Sequence, residues 1–334
     1  MQVRTWARAL VTIQRVDRAG WERLDLVSRW LVAARASVLV LTFISVAIAG
    51  LLAIRAGRFD PVLWLLAAVA LVLAHATNNL LNDLTDHLKG VDQNNYFRAI
   101  YGPHALEHKL LSVRGLLGYA AFSGLIAIAI GAYVVSVRGP VAFALLLAGA
   151  FFVLFYTWPL KYIGLGEIAV ILVWGPLMIG GTYFVVTGLW DWDVVLVGLP
   201  YALGATTVIF GKHIDKLDDD RTRGIHTLPV LVGERVARWI LGAMIVLMYA
   251  IVGYLVVIGF VGPAVLVVFL AVPRARAALA LYAKQRPRER PEHWPAVVWP
   301  LYFVRAAFAH NRRFGMLLLA GLAADVAIRL LLPR

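Results

Sequence analysis

Residues 62–92 read VLWLLAAVALVLAHATNNLLNDLTDHLKGVD. From 62 to 81 the stretch holds no Asp, Glu, Lys or Arg, and as a helix it is long enough to cross the roughly 30 Å hydrocarbon core of a bilayer. It then passes straight into polar residues. Asn79, Asp83 and Asp86 stand at i, i+4 and i+7, which places them on one helical face. His75 lies four residues earlier on that face, and Asn82 and Asp92 flank it. The stretch sets two expectations: a helix in lipid, and chemistry where that helix leaves it.

The rest of the chain agrees with the first expectation. Of 334 residues, 61% are apolar and 15% charged, against about half and a quarter in soluble domains, and the mean hydropathy is +0.79. We expect an all-α integral membrane protein of about nine transmembrane helices, at 38–54, 62–81, 116–137, 141–155, 168–186, 194–210, 239–260, 264–282 and 314–332. Helices satisfy their own backbone polar groups in lipid, whereas a barrel needs short alternating segments that are absent here. The eighth span meets Pro273, Arg274 and Arg276, so it must tilt, shorten or leave the lipid. Residues 1–35 mix Trp6, Trp21 and Trp30 with arginines, as a cytoplasmic or interfacial segment does. Residues 36–334 form a single transmembrane domain.

The net charge is +13. The basic residues lie between apolar spans and form no separate domain, which argues against a nucleic-acid partner and for orientation by the positive-inside rule. With the N-terminus cytoplasmic, the outer side receives only Arg55, Arg58, Arg138, Arg329 and Arg334 of the 32 basic residues. We expect a bacterial-type cytoplasmic (inner) membrane. With no cysteine, disulfides, thiolate metal sites and cysteine nucleophiles are excluded.

Two long loops, 82–115 and 211–238, face the cytoplasm in this topology and are rich in carboxylates. The second opens with GKHIDKLDDDRTRGIHTLPVLVGE, residues 211–234. Asp215 and Asp219 are again four apart, with Asp218 and Asp220 beside them. Carboxylates paired at helical spacing suit Mg²⁺, which takes one or two of them and completes its shell with water and substrate phosphate. Two such clusters at one mouth of a bundle suit a diphosphate, and Lys109, Lys161, Lys212 and Arg221 are candidates for its free oxygens. Acids beside a membrane also make plain ion pairs. What points to a site is their repetition after two spans running the same way. An ion-coupled transporter would rather place acids at midplane, in interrupted spans. Tyr156 and Trp158 are candidates to face an allylic cation through their rings. Glu167 and His75 have either structural or substrate-contacting roles open to them, and Asp325 with Arg329, four apart, reads as a structural pair.

These residues resemble the UbiA-type prenyltransferase superfamily. NDLTD at 82–86, with upstream Asn79, is similar to its first aspartate-rich motif. Asp215 to Asp219, followed by Arg221, Gly224, Thr227 and Leu228, is similar to its second, with one residue more than usual before Gly224, so Asp219 and Asp220 both remain candidates. YTWPLK at 156–161 resembles its tyrosine–lysine motif. YIGLGEIAVILVWGPLMIGGTY at 162–183 looks most like the 1,4-dihydroxy-2-naphthoate polyprenyltransferase branch. The chain departs at Arg35-Ala36, where the family has Arg-Pro, and lacks a glycine usual before Leu111-Ser112. The resemblance implies a UbiA-type bundle and an Mg²⁺-dependent transfer of a polyprenyl group from its diphosphate. The metal ligands would be Asp83, Asp86, Asp215 and Asp219 with Asn79. Lys161, Lys212 and Arg221 would contact phosphate. The acceptor would be a small aromatic, with a lipid glycerol, carotenoid, haem or sugar phosphate as alternatives. Membrane lipid is the other partner.

Overall fold

The computed structural model describes residues 2–12, 14, 16–91, 104–292 and 294–332. Among them every regular element is helical. Eight helices are long and apolar enough to cross a membrane: α4 (Ala36–Arg55), α5 (Pro61–Leu88), α6 (Val113–Arg138), α8 (Gly166–Thr187), α9 (Trp192–Asp215), α12 (Glu234–Val257), α13 (Pro263–Tyr282) and α14 (Phe303–Leu331). The ninth apolar segment is the 16-residue α7 (Pro140–Phe155). Short helices complete the set: α1 (Gln2–Val11), α2 (Arg18–Glu22) and α3 (Leu26–Ala33) before the bundle, α10 (Leu217–Thr222) and α11 (Leu228–Val232) after α9.

The expected spans are present, with ends that hydropathy alone misplaces. The last one begins at Phe303, not at 314, because Arg305, Arg312 and Arg313 lower the local hydropathy without breaking the helix. The helices α5 and α9 run past the apolar stretch to Leu88 and Asp215; α5 carries Asn79, Asp83 and Asp86 in helical register, whereas α9 ends at Asp215 and the acids 218–220 lie on α10. Pro273 is accommodated because it starts the α-helical half of α13, where its missing N–H costs nothing; the preceding half, Pro263–Ala271, is 3₁₀. In α8 the π-helical stretch Val173–Gly180 surrounds Pro176, whose lack of a donor explains the widened turn.

Burial sorts the helices. The central α9 is 72% buried over its apolar window and α6 only 17%. The main core joins α4, α8, α9, α12, α13 and α14. The outer faces of α6 and α7 present Phe122, Leu125, Phe143 and Phe151 outward, as lipid-facing surface should. Among the N-terminal helices, Asp17 and Asp25 cap α2 and α3, accepting from Gly20 and Ser28 N–H. Trp30 Nε1 donates to Ser123 Oγ on α6 at 2.8 Å, tying this segment to the bundle.

The α9–α14 contact is made close by small residues, the usual device when lipid offers no hydrophobic drive between helices. A Cβ on Gly211 would stand 3.0 Å from Val304 N and 3.1 Å from Phe303 C, both backbone. We therefore expect Gly211→Val to destabilise the protein by about 1–3 kcal/mol, read as a lowered thermal midpoint in detergent. Gly253→Ala, which meets nothing within 4 Å, should leave the midpoint unchanged or slightly raised. Equal midpoints for the two variants would contradict this packing.

Candidate functional site

The two acidic stretches meet at one end of the bundle. On α5, Asn79, Asp83 and Asp86 are all buried. Asn79 Nδ2 donates to Ala34 O at 3.0 Å and fixes α5 against the junction of α3 and α4. Arg35, at that junction, has a left-handed backbone (φ 56°). From there its Nη2 reaches Asn79 O at 2.9 Å, Asn82 Oδ1 at 3.4 Å and Asp83 Oδ1 at 3.2 Å. Asn82 Nδ2 in turn donates to Thr157 Oγ1 at 3.0 Å. Asp86 receives the Lys161 ammonium on both oxygens, at 2.8 and 3.0 Å.

Lys161 sits on the 3₁₀ turn Leu160–Ile163, between α7 and α8, and is itself buried. Glu167, in the first turn of α8, is 1% exposed. Its Oε1 pairs with His213 Nδ1 at 2.6 Å and its Oε2 accepts from Leu228 N at 3.3 Å, so it links α8, α9 and α11. Tyr156 closes α7 within electrostatic reach of Glu167, Asp86 and Arg35. Deeper in the bundle, His75 Nδ1 meets Thr42 Oγ1 at 2.6 Å and its ring lies edge-on to Trp174. Trp158 is half exposed, with the Lys89 ammonium 5.0 Å from its ring.

The second motif divides its carboxylates. Asp215 Oδ1 accepts from Phe303 N at 2.9 Å, and Oδ2 from Tyr302 N at 3.0 Å and Val304 N at 3.1 Å. It thus anchors the start of α14, a use that competes with the metal-binding role expected from its spacing. The helix breaks at the next residue, and Lys216, also buried, turns to the acids. Its Nζ lies 3.2 Å from Asp220 Oδ1 and 3.7 Å from Asp219 Oδ2, and it feels Asp86 across the gap. Burial by itself would pull this ammonium down; Asp220, Asp219 and Asp86 outweigh it and hold Lys216 above the ordinary lysine range. Lys212 stands in electrostatic range of Lys216, Lys161, Arg35 and Asp86.

The other expected residues lie outside this knot. Asp218 is exposed and paired with Arg286, which also donates to Asp215 O at 2.6 Å. Arg221 is exposed at the end of α10. Lys109 is exposed, in a left-handed conformation (φ 52°). Asp92 lies outside the described residues. Asp219 also pairs with Arg223 at 3.0 Å, while its Oδ2 accepts no hydrogen bond among the described residues.

Four residues here carried no site expectation: Arg35, Lys216, His213 and Thr157. Lys216 was the most legible of them, being three and four residues before Asp219 and Asp220. Arg35 and Thr157 reach the acids only through tertiary contacts.

No three acidic or histidine side chains converge on one point among the described residues. The donors are nevertheless of the kind Mg²⁺ uses. The carboxylates of Asp86, Asp219 and Asp220 all lie in electrostatic range of Lys216, and Asp219 Oδ2 is a buried acceptor with no hydrogen bond among the described residues. With so few carboxylates near any one point, a cation held there would complete its shell from water and ligand oxygens.

Comparison with known proteins gives the chain's relatives. The 1,4-dihydroxy-2-naphthoate octaprenyltransferase of Escherichia coli is 28% identical over 229 residues, covering 65% of this chain and 72% of that protein. The UbiA prenyltransferase domain-containing protein 1 homolog of Drosophila melanogaster is 28% identical over 57% of this chain, which spans about half of it (53%). Among solved structures, an apo UbiA homolog from Aeropyrum pernix K1 superposes with a TM-score of 0.64 at 20% identity, covering 85% of this chain and 97% of that one. A UbiA homolog from Archaeoglobus fulgidus bound to GPP and Mg²⁺ gives 0.56 at 12%, covering 86% and 99%. Residues 43–324 match the UbiA prenyltransferase family as a whole, and the chain belongs to it.

Proposed function

We propose that this chain transfers a polyprenyl group from an allylic diphosphate to an aromatic acceptor of the quinone-precursor type, with 1,4-dihydroxy-2-naphthoate as the leading candidate. The observation that carries this reading is the meeting of the α5 and α10 carboxylates with four buried or half-buried cations, Arg35, Lys161, Lys212 and Lys216, at one mouth of an apolar bundle. A prenyl diphosphate has the matching form, an apolar tail ending in concentrated negative charge. The Archaeoglobus homolog's GPP and Mg²⁺ and the Escherichia coli relative's name support it from outside the chain.

In this reading Asp83, Asp86, Asp219 and Asp220 hold Mg²⁺, with Asn79 and Asn82 beside them. When bound, the metal neutralises the charge that develops on the leaving diphosphate. Lys161, Lys212, Lys216 and Arg35 take the free phosphate oxygens, and Arg221 and Lys109 wait at the rim. The cations paired with carboxylates in the structure exchange one oxygen partner for another, so few new charges are desolvated. The allylic C–O bond breaks with its electron pair leaving on the diphosphate. The ring faces of Tyr156 and Trp174, with His75, border the space for the cation and acceptor. An acceptor ring carbon donates the pair that forms the new C–C bond; with dihydroxynaphthoate, loss of the carboxylate as CO₂ returns electrons to the ring. Asp215 acts by holding α14. The site end faces the cytoplasm of a bacterial-type inner membrane.

A product assay on the purified protein tests the reading, with geranylgeranyl and longer diphosphates, an acceptor panel, and Mg²⁺ or chelator. Chelator-sensitive prenylated dihydroxynaphthoate is expected; release of neither product nor pyrophosphate by folded protein would overturn the proposal, and another prenylated acceptor would replace the naphthoate. Asp86→Ala and Lys161→Ala should each lower turnover by about 10²–10³. Asp215→Ala and Asp219→Ala should separate. The first, losing three backbone hydrogen bonds, should cost about 1–2 kcal/mol of stability. The second, which loses part-exposed ion pairs, should lower the thermal midpoint less and raise the Mg²⁺ concentration for half-maximal rate. Coincident behaviour of the two in both measurements would refute the division of roles.

A further inference from the structure

At the opposite end of the bundle a cavity of about 250 Å³ opens where several spans end. Its walls include Arg55 at the end of α4, Tyr183 on α8, Asp191 at the start of α9, Phe260 after α12 and Arg329 in the last turn of α14. With α4 20 residues long, this lies about 30 Å from the acids.

The Arg55 side chain is only 16% exposed. Its guanidinium stacks 4.8 Å over Phe260, and its nearest carboxylate oxygen, Asp325 Oδ2, is 3.9 Å away. Asp325 gives its other oxygen to Arg329 Nε at 3.3 Å. Among the described residues Arg55, which is part-buried, makes no hydrogen bond with any of its five N–H groups, so these donors are open to a ligand at the cavity. Two guanidiniums thus border one cavity and share one carboxylate. A planar fork of N–H donors open to a ligand fits a phosphate. The surroundings say where the phosphate comes from. Trp192 stands exposed at this end, a residue type that marks the boundary between hydrocarbon and headgroups, beside exposed Leu189, Val257 and Ile258, which suit the hydrocarbon side. A cavity at that depth meets lipid headgroups before it meets solutes.

We propose that this cavity is a phospholipid site, in which Arg55 and Arg329 hold the headgroup phosphate of a lipid from the leaflet remote from the acidic clusters. It is independent of the reaction proposed above.

Native mass spectrometry of the full chain in detergent tests it, with dioleoyl phosphatidylglycerol, dioleoylglycerol and inorganic phosphate as probes. Retention of one phosphatidylglycerol and no dioleoylglycerol is expected. Arg55→Gln with Arg329→Gln should reduce retention at least about tenfold, the scale of one lost charge-assisted hydrogen bond. Ala56→Trp keeps both arginines and fills the cavity, and it should show the same loss; it decides the matter if the arginine variant does not fold. Retention unchanged in Ala56→Trp, or equal retention of the lipid lacking phosphate, would overturn the site. Displacement of the lipid by millimolar inorganic phosphate would overturn its assignment to lipid in favour of a soluble phosphate.

Discussion

Three backbone N–H groups at the start of α14 end on one carboxylate, that of Asp215. The first N–H groups of a helix have no partner in their own helix, and in a membrane protein such an end must be satisfied by the fold or by water. Here the most buried span supplies the acceptor. The bond fixes how far α9 and α14 slide past each other, in register with the close approach at Gly211. It also fixes what comes next. Because Asp215 faces α14, the break after it turns Lys216 toward α5, and the ammonium becomes the centre around which Asp86, Asp219 and Asp220 gather.

A knot of buried charge is stable only if each member is compensated, since removing one partner leaves a desolvated ion. The site end meets this with two pairs between elements, Arg35 with Asp83 and Lys161 with Asp86, and two within the turn of α10 itself, Lys216 with Asp220 and Asp219 with Arg223. The first two tie the starts of α4 and α8 to α5, and each pair can be exchanged for a ligand of opposite charge. On the proposed reading, this is a physical reason for a site that takes a metal and a polyanion to be closed with salt bridges instead of apolar contacts.

Much of this was legible in the sequence because lipid leaves few alternatives. Uninterrupted apolar runs must be helices, and acids at helical spacing must share a face if the helix continues, as α5 does and α9, which breaks after Asp215, does not. The start of α14 was not legible, because three arginines on one helix lower hydropathy while leaving helix propensity intact. Nor was the role of Asp215. Its partners lie 87 to 89 residues later in the chain, and nothing in the spacing of DKLDDD separates a carboxylate that binds backbone from one that faces the cleft. Arg35 was conspicuous only as a departure from Arg-Pro. With alanine at 36 its backbone adopts the left-handed conformation that brings it to Asp83, whereas a following proline would favour extended backbone there.

Lysine is confined to the site end of the bundle, where it joins Arg35 and Arg223, and the difference follows from what each end holds. Lys161, Lys212 and Lys216 cluster at the acids, while the far end is served by Arg55, Arg58, Arg138 and Arg329 without a lysine. An ammonium is a compact charge on a flexible stem, able to follow a phosphate that binds, loses its carbon and departs. A guanidinium holds a fixed plane and suits contacts that persist. Arg138 illustrates this, with Nε and Nη2 on the Val185 and Val186 carbonyls at 2.8 and 3.0 Å where α8 ends. On the proposed reading, flexible lysines beside Arg35 and Arg223 suit the mouth where turnover occurs, and the arginines of the far end suit contacts that persist, whether to a helix end or to a lipid headgroup.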